Sequence, residues 1–144
     1  MILIEELAKQ GVIKESQIPE ILKIADEKYE GSVDEALLDF NLDEQAVLEA
    51  KGLIFNIPVK DIDPKNVLPA TLELIPVDAA KIYHFVPIGV SDSVLEIGIL
   101  DPENVQAMDA LTFITAKMNK PFKLFLIKTS VYNDLLQMYE GLGN

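Results

Sequence analysis

Residues 84–111, HFVPIGVSDSVLEIGILDPENVQAMDAL, leave the chain few architectures to choose from. Val86, Ile88 and Val90 alternate along one segment, and Leu95, Ile97 and Ile99 along the next. Period-two alternation marks half-buried strands, because successive side chains point to opposite faces. Ser91-Asp92-Ser93 lies between them, and short polar side chains bond their own backbone in turns. A β-hairpin over 85–100 is the prediction. Asp101-Pro102 then predicts a helix start: the carboxylate can cap free amides, and proline at the first position loses no hydrogen bond. Val105, Met108, Leu111, Ile114 and Met118 follow at steps of three or four, so a helix over 102–118 lays one face on the hairpin. No catalytic motif lies in this stretch.

Upstream the pattern is helical. Leu3, Leu7 and Ala8 form a short stripe that Gly11 ends. Ser16 can cap a second helix carrying Ile18, Ile21, Leu22, Ala25 and Tyr29, with Pro19 tolerated in the first turn and Gly31 as the stop. Val33, Leu37 and Leu38 make another stripe, broken at Asn41. Asp43 caps a helix with Ala46, Val47, Ala50, Leu53 and Ile54 on one side. GVIKESQI at 11–18 and FNLDEQAV at 40–47 sit at matching places, 29 residues apart, and suggest a tandem helical hairpin.

Residues 55–69 carry three prolines and little periodicity, and read as a connector. Two short helices follow around 70–75 and 77–82, split by Pro76. Beyond the hairpin and long helix, FKLFLIKT at 122–129 predicts a third strand, preceded by Pro121. Ser130 caps a last helix over 131–141, with Val131, Leu135, Met138 and Leu142 on one face. Gly141 and Gly143 loosen the end, which suggests a domain joined to further protein. The expected class is α+β. A four-helix N-terminal bundle, 1–55, precedes a small α/β subdomain, 56–144, with a three-stranded sheet flanked by helices.

A chain of 144 residues can bury roughly 70% of its unfolded surface and needs no covalent staple. It has no cysteine, which excludes disulfides, a thiol nucleophile and cysteine metal sites, and fits a reducing cytoplasm. Acidic residues outnumber basic ones 24 to 12, for a formal charge of −12, and every basic residue is lysine. A chain of this charge does not hold a phosphate backbone by bulk electrostatics, and without arginine it lacks the planar fork that grips phosphate bidentately. DNA, RNA and anionic membranes are therefore disfavoured; a basic protein surface is allowed. The longest uncharged run, 82–91, contains Pro87 and is half the roughly 20 residues a spanning helix needs. Acids at Glu5 and Glu6, with no basic residue before the first apolar ones, exclude a signal peptide.

Few side chains offer chemistry. His84 is the only histidine, with no cysteine, nucleophile elbow or serine-plus-acid arrangement to serve, and reads as a side chain at the start of a strand. Asp61 and Asp63 fall short of the oxygen donors that a calcium loop spreads over about twelve residues, and read as caps or turns. No G-x-x-x-x-G-K-[ST] and no G-x-G-x-x-G occurs. The acids at 26–35 and 39–49 read as solvated helix faces, with a partner surface as the alternative.

The order of motifs resembles the N-terminal, MshEN-type domain of type II secretion and type IV pilus assembly ATPases. Helical hairpins lead to Ile57-Pro58 with Asp61, then Pro76 with Ala79 and Ala80, then Pro87-Ile88, then a hairpin closing on Asp101-Pro102 and a helix. The resemblance spans nearly the whole chain and rests on order and spacing rather than on any one motif. It implies a non-catalytic cytoplasmic adaptor, held at the inner membrane through partners, that ties the motor to its assembly platform through an actin-like cytoplasmic protein. It also implies a separate C-terminal ATPase domain, where ATP and magnesium would bind, and no cofactor in this chain.

Some members of that family bind cyclic di-GMP through tandem Arg-Leu-Gly-type motifs in the helical region. The corresponding positions here are Ile2, Ile4, Gly11 and about Ala25 in the first copy, and about Phe40 and Ile54 in the second. They are mostly apolar, and a protein without arginine cannot supply the stacking guanidinium. A helical bundle kept for packing and docking is the better expectation, with an exposed apolar face of Ile2, Ile4, Ile54 and Phe55 as the partner surface. The alternatives are a cyclic di-GMP sensor, which predicts saturable ligand binding, and a stand-alone regulator or small enzyme, which predicts a deep polar pocket.

Overall fold

The computed structural model describes residues 2–142; Met1, Gly143 and Asn144, and the side chains of Ile2 and Leu142, lie outside the described set. The expected roles of Gly143 at the chain end and of Leu142 on the last stripe therefore fall outside it. The chain divides into two units between Ile57 and Pro58.

Caps and left-handed residues delimit the four α-helices described in the first unit. α1 (Ile2–Lys9) gives way at Gly11, with φ of +77°, and α2 (Ile18–Lys28) at Glu30 and Gly31, with φ of +53° and +89°. Glycine takes these angles without a Cβ penalty. The Gly31 N–H donates back to the Ala25 carbonyl at 2.8 Å. Ser16 does not cap α2. Residues Glu15–Gln17 form a 3-10 turn that feeds the helix; Gln17 Oε1 accepts from the Lys14 N–H at 2.8 Å and closes that turn, and no side chain caps α2 itself. Ser32 caps α3 (Val33–Leu37), accepting from the Glu35 N–H, and Asp43 caps α4 (Glu44–Phe55), accepting from Gln45 and Ala46. Leu3, Ile4 and Leu7 of α1, Ile21 and Ala25 of α2, Leu37 of α3 and Ala50 of α4 meet in one core.

The second unit holds α5 (Pro69–Leu72), α6 (Val77–Tyr83), β1 (Phe85–Ser91), β2 (Val94–Ile99), α7 (Val105–Lys117), β3 (Phe122–Leu126) and α8 (Thr129–Leu142). The sheet order is β1-β2-β3, with β1 antiparallel and β3 parallel to the central strand. Asp92 and Ser93 close the hairpin at φ of +52° and +66°, the primed geometry that matches strand twist. A bulge at Ile88, between the pairs Pro87↔Ile97 and Gly89↔Glu96, breaks the simple alternation expected of β1. Val86 and Ile88 are buried, whereas Val90, beyond the bulge, is 47% exposed.

The connector contributes to the sheet: Val59 bridges Leu126 in parallel, Lys60 N–H donates to the Leu126 carbonyl at 3.0 Å, and Leu126 N–H donates to the Pro58 carbonyl at 2.9 Å. One core gathers Val86, Leu100 and Ile127 with Val131, Tyr132 and Leu135 of α8. Gly98 makes room in it, since a Cβ there would stand 2.7 Å from Ile127 Cδ1. Leu95, Ile97 and Ile99 alternate with Gly98, point to the opposite face and are fully buried.

The long helix starts at Val105, not at 102. Asp101 Oδ1 accepts from the Glu103 N–H in a turn, and Asn104 is the cap, accepting from Ala107 at 3.1 Å. Its buried line is Ala107, Leu111 and Thr115, so the expected stripe is rotated. Val105 is 70% exposed, and Met108, Ile114 and Met118 are half-buried. Likewise β3 ends at Leu126 rather than 129. Thr129 already opens α8, where the Lys128 carbonyl accepts the Tyr132 N–H, and Ser130 sits inside the first turn.

Candidate partner-binding surface

Of the residues expected to form an exposed apolar face (Ile2, Ile4, Ile54 and Phe55), the three whose side chains are described are buried or half-buried. α1 presents Leu3, Ile4 and Leu7 inward, and Ile4 is 1% exposed within the helical core. Ile54 and Phe55, at the end of α4, are half-buried and pack against that core. Ile2 starts α1, and its side chain is outside the described set. The helical period explains the correction: Ile4 and Leu7, three apart, share the inward face of a short helix. The apolar side chain that α4 does expose is Leu53, at 78%. The spacing puts it on one side of α4 with Ala46, Val47, Ala50 and Ile54, of which only Ala50 is fully buried. A stripe of five residues is wider than the third or so of its circumference that a helix buries.

The positions matched to cyclic di-GMP contacts have gone the same way. Ile4 and Ala25 are buried in the core, Phe40 and Ile54 pack on it, and Gly11 alone of the described ones is exposed. These residues build the bundle.

The polar features of the first unit lie elsewhere, and one was not anticipated. Lys51 of α4 donates to Asp34 Oδ1 in the first turn of α3, with side-chain exposures of 3% and 10%. By sequence Asp34 belongs to the acidic run at 26–35 that reads as a solvated helix face. A single acid near a helix start looks the same in sequence whether it meets water or a buried lysine. Between the ends of α2 and α3, Asp39 accepts from Lys28 Nζ at 2.8 Å and from the Tyr29 hydroxyl at 2.7 Å. These hydrogen bonds hold the Asp39 carboxyl below its ordinary pKa, Lys28 first and Tyr29 second. The same bonds to Asp39 raise Lys28 and Tyr29 above theirs.

In the second unit two tyrosines of α8 tie it to the short helices. Tyr132 donates to the Ala80 carbonyl at 2.7 Å and Tyr139 to the Ile75 carbonyl at 3.2 Å, and burial pushes the Tyr139 phenol well up. His84 follows α6 at φ of +56°, its ring 5.6 Å from that of Tyr132. Asp63 caps a 3-10 turn at Pro64–Asn66, and Asp61 pairs with Lys128 at 3.5 Å. Among the described residues no cluster of three or more His, Cys, Asp or Glu could hold a metal, and no helix is long and apolar enough to cross a membrane.

A helical unit followed by a mixed sheet with helices on it defines an α+β chain, and the polar side chains described above serve as caps, ties and ion pairs. The MshEN domain model matches residues 55–143, and the chain belongs to that family. This is the class of N-terminal domain that the order of motifs resembles. The fold is similar to that of MshE, solved with cdg: TM-score 0.65, 22% identity, covering 95% of this chain and 97% of that one. It is also similar to the N-terminal domain of XpsE in two crystal forms. One gives a TM-score of 0.64 at 20% identity, over 94% of this chain and 91% of that one; the other gives 0.53 at 22%, over 94% and 92%. No curated protein sequence matches significantly.

Proposed function

We propose that this chain is the non-catalytic N-terminal adaptor of a secretion or pilus-assembly motor, cytoplasmic and peripheral to the inner membrane, and that it docks the motor onto its platform through an actin-like cytoplasmic protein. Membership of the MshEN family carries the proposal. The arrangement of side chains supports it, because the polar residues described above serve structure rather than a reaction. ATP and magnesium would belong to a separate ATPase domain. The docking face we assign to the exposed end of α4, with Leu53 at its centre and the half-buried Ile54 and Phe55 beside it.

Cyclic di-GMP sensing is the weaker reading. MshE was solved with cdg, but the matched positions in this chain are apolar, and several are core. The test is binding of the chain to the purified actin-like cytoplasmic protein. Leu53→Lys should weaken binding at least about tenfold while leaving the circular dichroism unchanged, the loss expected of one central apolar contact. Unchanged affinity would move the docking face elsewhere. Absence of any binding by the wild-type chain would sink the adaptor reading.

A further inference from the structure

Charge is distributed unevenly within this acidic chain. Residues 1–57 carry thirteen acids against five lysines, a formal −8. Between Asp109 and Asp134, by contrast, lie four lysines and no acid. The fold brings three of them to one corner of the second unit. Lys117 ends α7. Lys120 folds back, its N–H donating to the Thr115 carbonyl at 3.2 Å, and Lys123 stands near the start of β3. Lys117 and Lys123 are exposed and Lys120 half-buried. Glu96 lies opposite Lys123 in the ladder, but its carboxylate already accepts from Lys60 Nζ at 3.0 Å, so positive charge remains in excess. Phe113, 62% exposed, adds an apolar centre with Lys117 Nζ 4.4 Å from its ring centroid.

We propose that this lysine corner docks onto the outer face of α2 in a second copy of the chain. That face has the complementary chemistry. Leu22, 41% exposed, is followed one turn on by Asp26, with Glu27 beside it and Glu30 in the turn just past the helix end, all three acids exposed. Of the two lysines nearby, Lys28 is engaged by Asp39, and exposed Lys23 offsets one of the three acids, so the patch keeps a net negative charge. An aromatic ring meets an aliphatic side chain, and lysines meet carboxylates. The two patches differ, so the contact is head-to-tail, and such contacts close into rings or run on as filaments. The proposal uses a different face from the docking face at the end of α4 and stands or falls independently of it.

Sedimentation velocity of the full chain tests it, from micromolar to millimolar protein at about 0.15 M ionic strength. There the Debye length of about 8 Å screens the mutual repulsion of two acidic molecules but not contact pairs. The wild-type mass should rise with concentration. The triple variant K117E/K120E/K123E should associate at least about tenfold more weakly, through the loss of three surface pairs. K9E/K14E/K65E changes the net charge equally and should associate like the wild type. Mixing K117E/K120E/K123E with D26K/E27K/E30K should restore association that neither shows alone. A wild-type chain that stays monomeric at millimolar concentration overturns the proposal, even if the corner later binds a foreign acidic protein. Equal weakening by the two lysine triples, or failure of the charge-swapped mixture to associate, overturns it as well.

Discussion

The buried pair of Lys51 and Asp34 is the residue-scale feature with the largest energetic consequence. Desolvating two charges is expensive, and their attraction offsets that cost only while both are present. Lys51→Met alone should therefore destabilise the helical unit by about 3–5 kcal/mol, because it strands a buried carboxylate. Combining it with Asp34→Leu should recover most of the loss, and urea denaturation of the two variants distinguishes these outcomes. Asp39 makes a separate prediction about pH. Its carboxyl is held below the ordinary value, so the folded state favours the ionised form. The stabilisation is complete above about pH 4 and fades as pH falls through the lowered folded value. Asp39→Asn removes that dependence, so the urea midpoints of variant and wild type should converge between pH 5 and the acid limit. A constant gap would show that the Asp39 hydrogen bonds do not favour the charged form.

At the scale of elements, α7 and the central strand carry the sharpest expectations. Asn104, not Asp101, accepts from the first turn of α7, so Asn104→Ala should cost about 1 kcal/mol, the usual value of an N-cap. Asp101→Ala should cost less, since its carboxylate only orders the preceding turn. Thermal unfolding of the two variants would rank them, and the reverse order would return the helix start to Asp101. Gly98→Ala would push a methyl group into Ile127 on a fully packed face and should destabilise by about 1–3 kcal/mol. On α7, Val105 and Ile114 look like core by hydropathy, while Ala107 and Thr115 look neutral, yet the latter are buried. Hydropathy does not mark small or hydroxyl side chains as core.

For the whole molecule, net charge sets the expectation. A formal −12, two-thirds of it in the first 57 residues, strains the compact state by self-repulsion. Raising sodium chloride from about 0.01 M to 0.15 M shortens the Debye length from about 30 Å to 8 Å, and the melting temperature should rise with it. A fall would mean that the favourable pairs, such as Lys28 with Asp39, outweigh the repulsion.

Local signals in the chain determined its fold class. Alternation, caps and glycine stops specify helices, hairpin, crossover helix and third strand from neighbours a few residues apart, and the MshEN kinship was legible from the order of the motifs. Element ends were less legible. Asp101 and Asn104 are competing acceptors, and only the final backbone path selects one. The candidate surface was least legible of all. Whether Ile4 faces core or water, whether Leu53 shares a stripe or leaves it, and whether Asp34 meets solvent or Lys51 depend on partners up to dozens of residues away. Tertiary packing alone decided these, because burial is a property of where helices meet, and sequence periodicity describes one helix at a time.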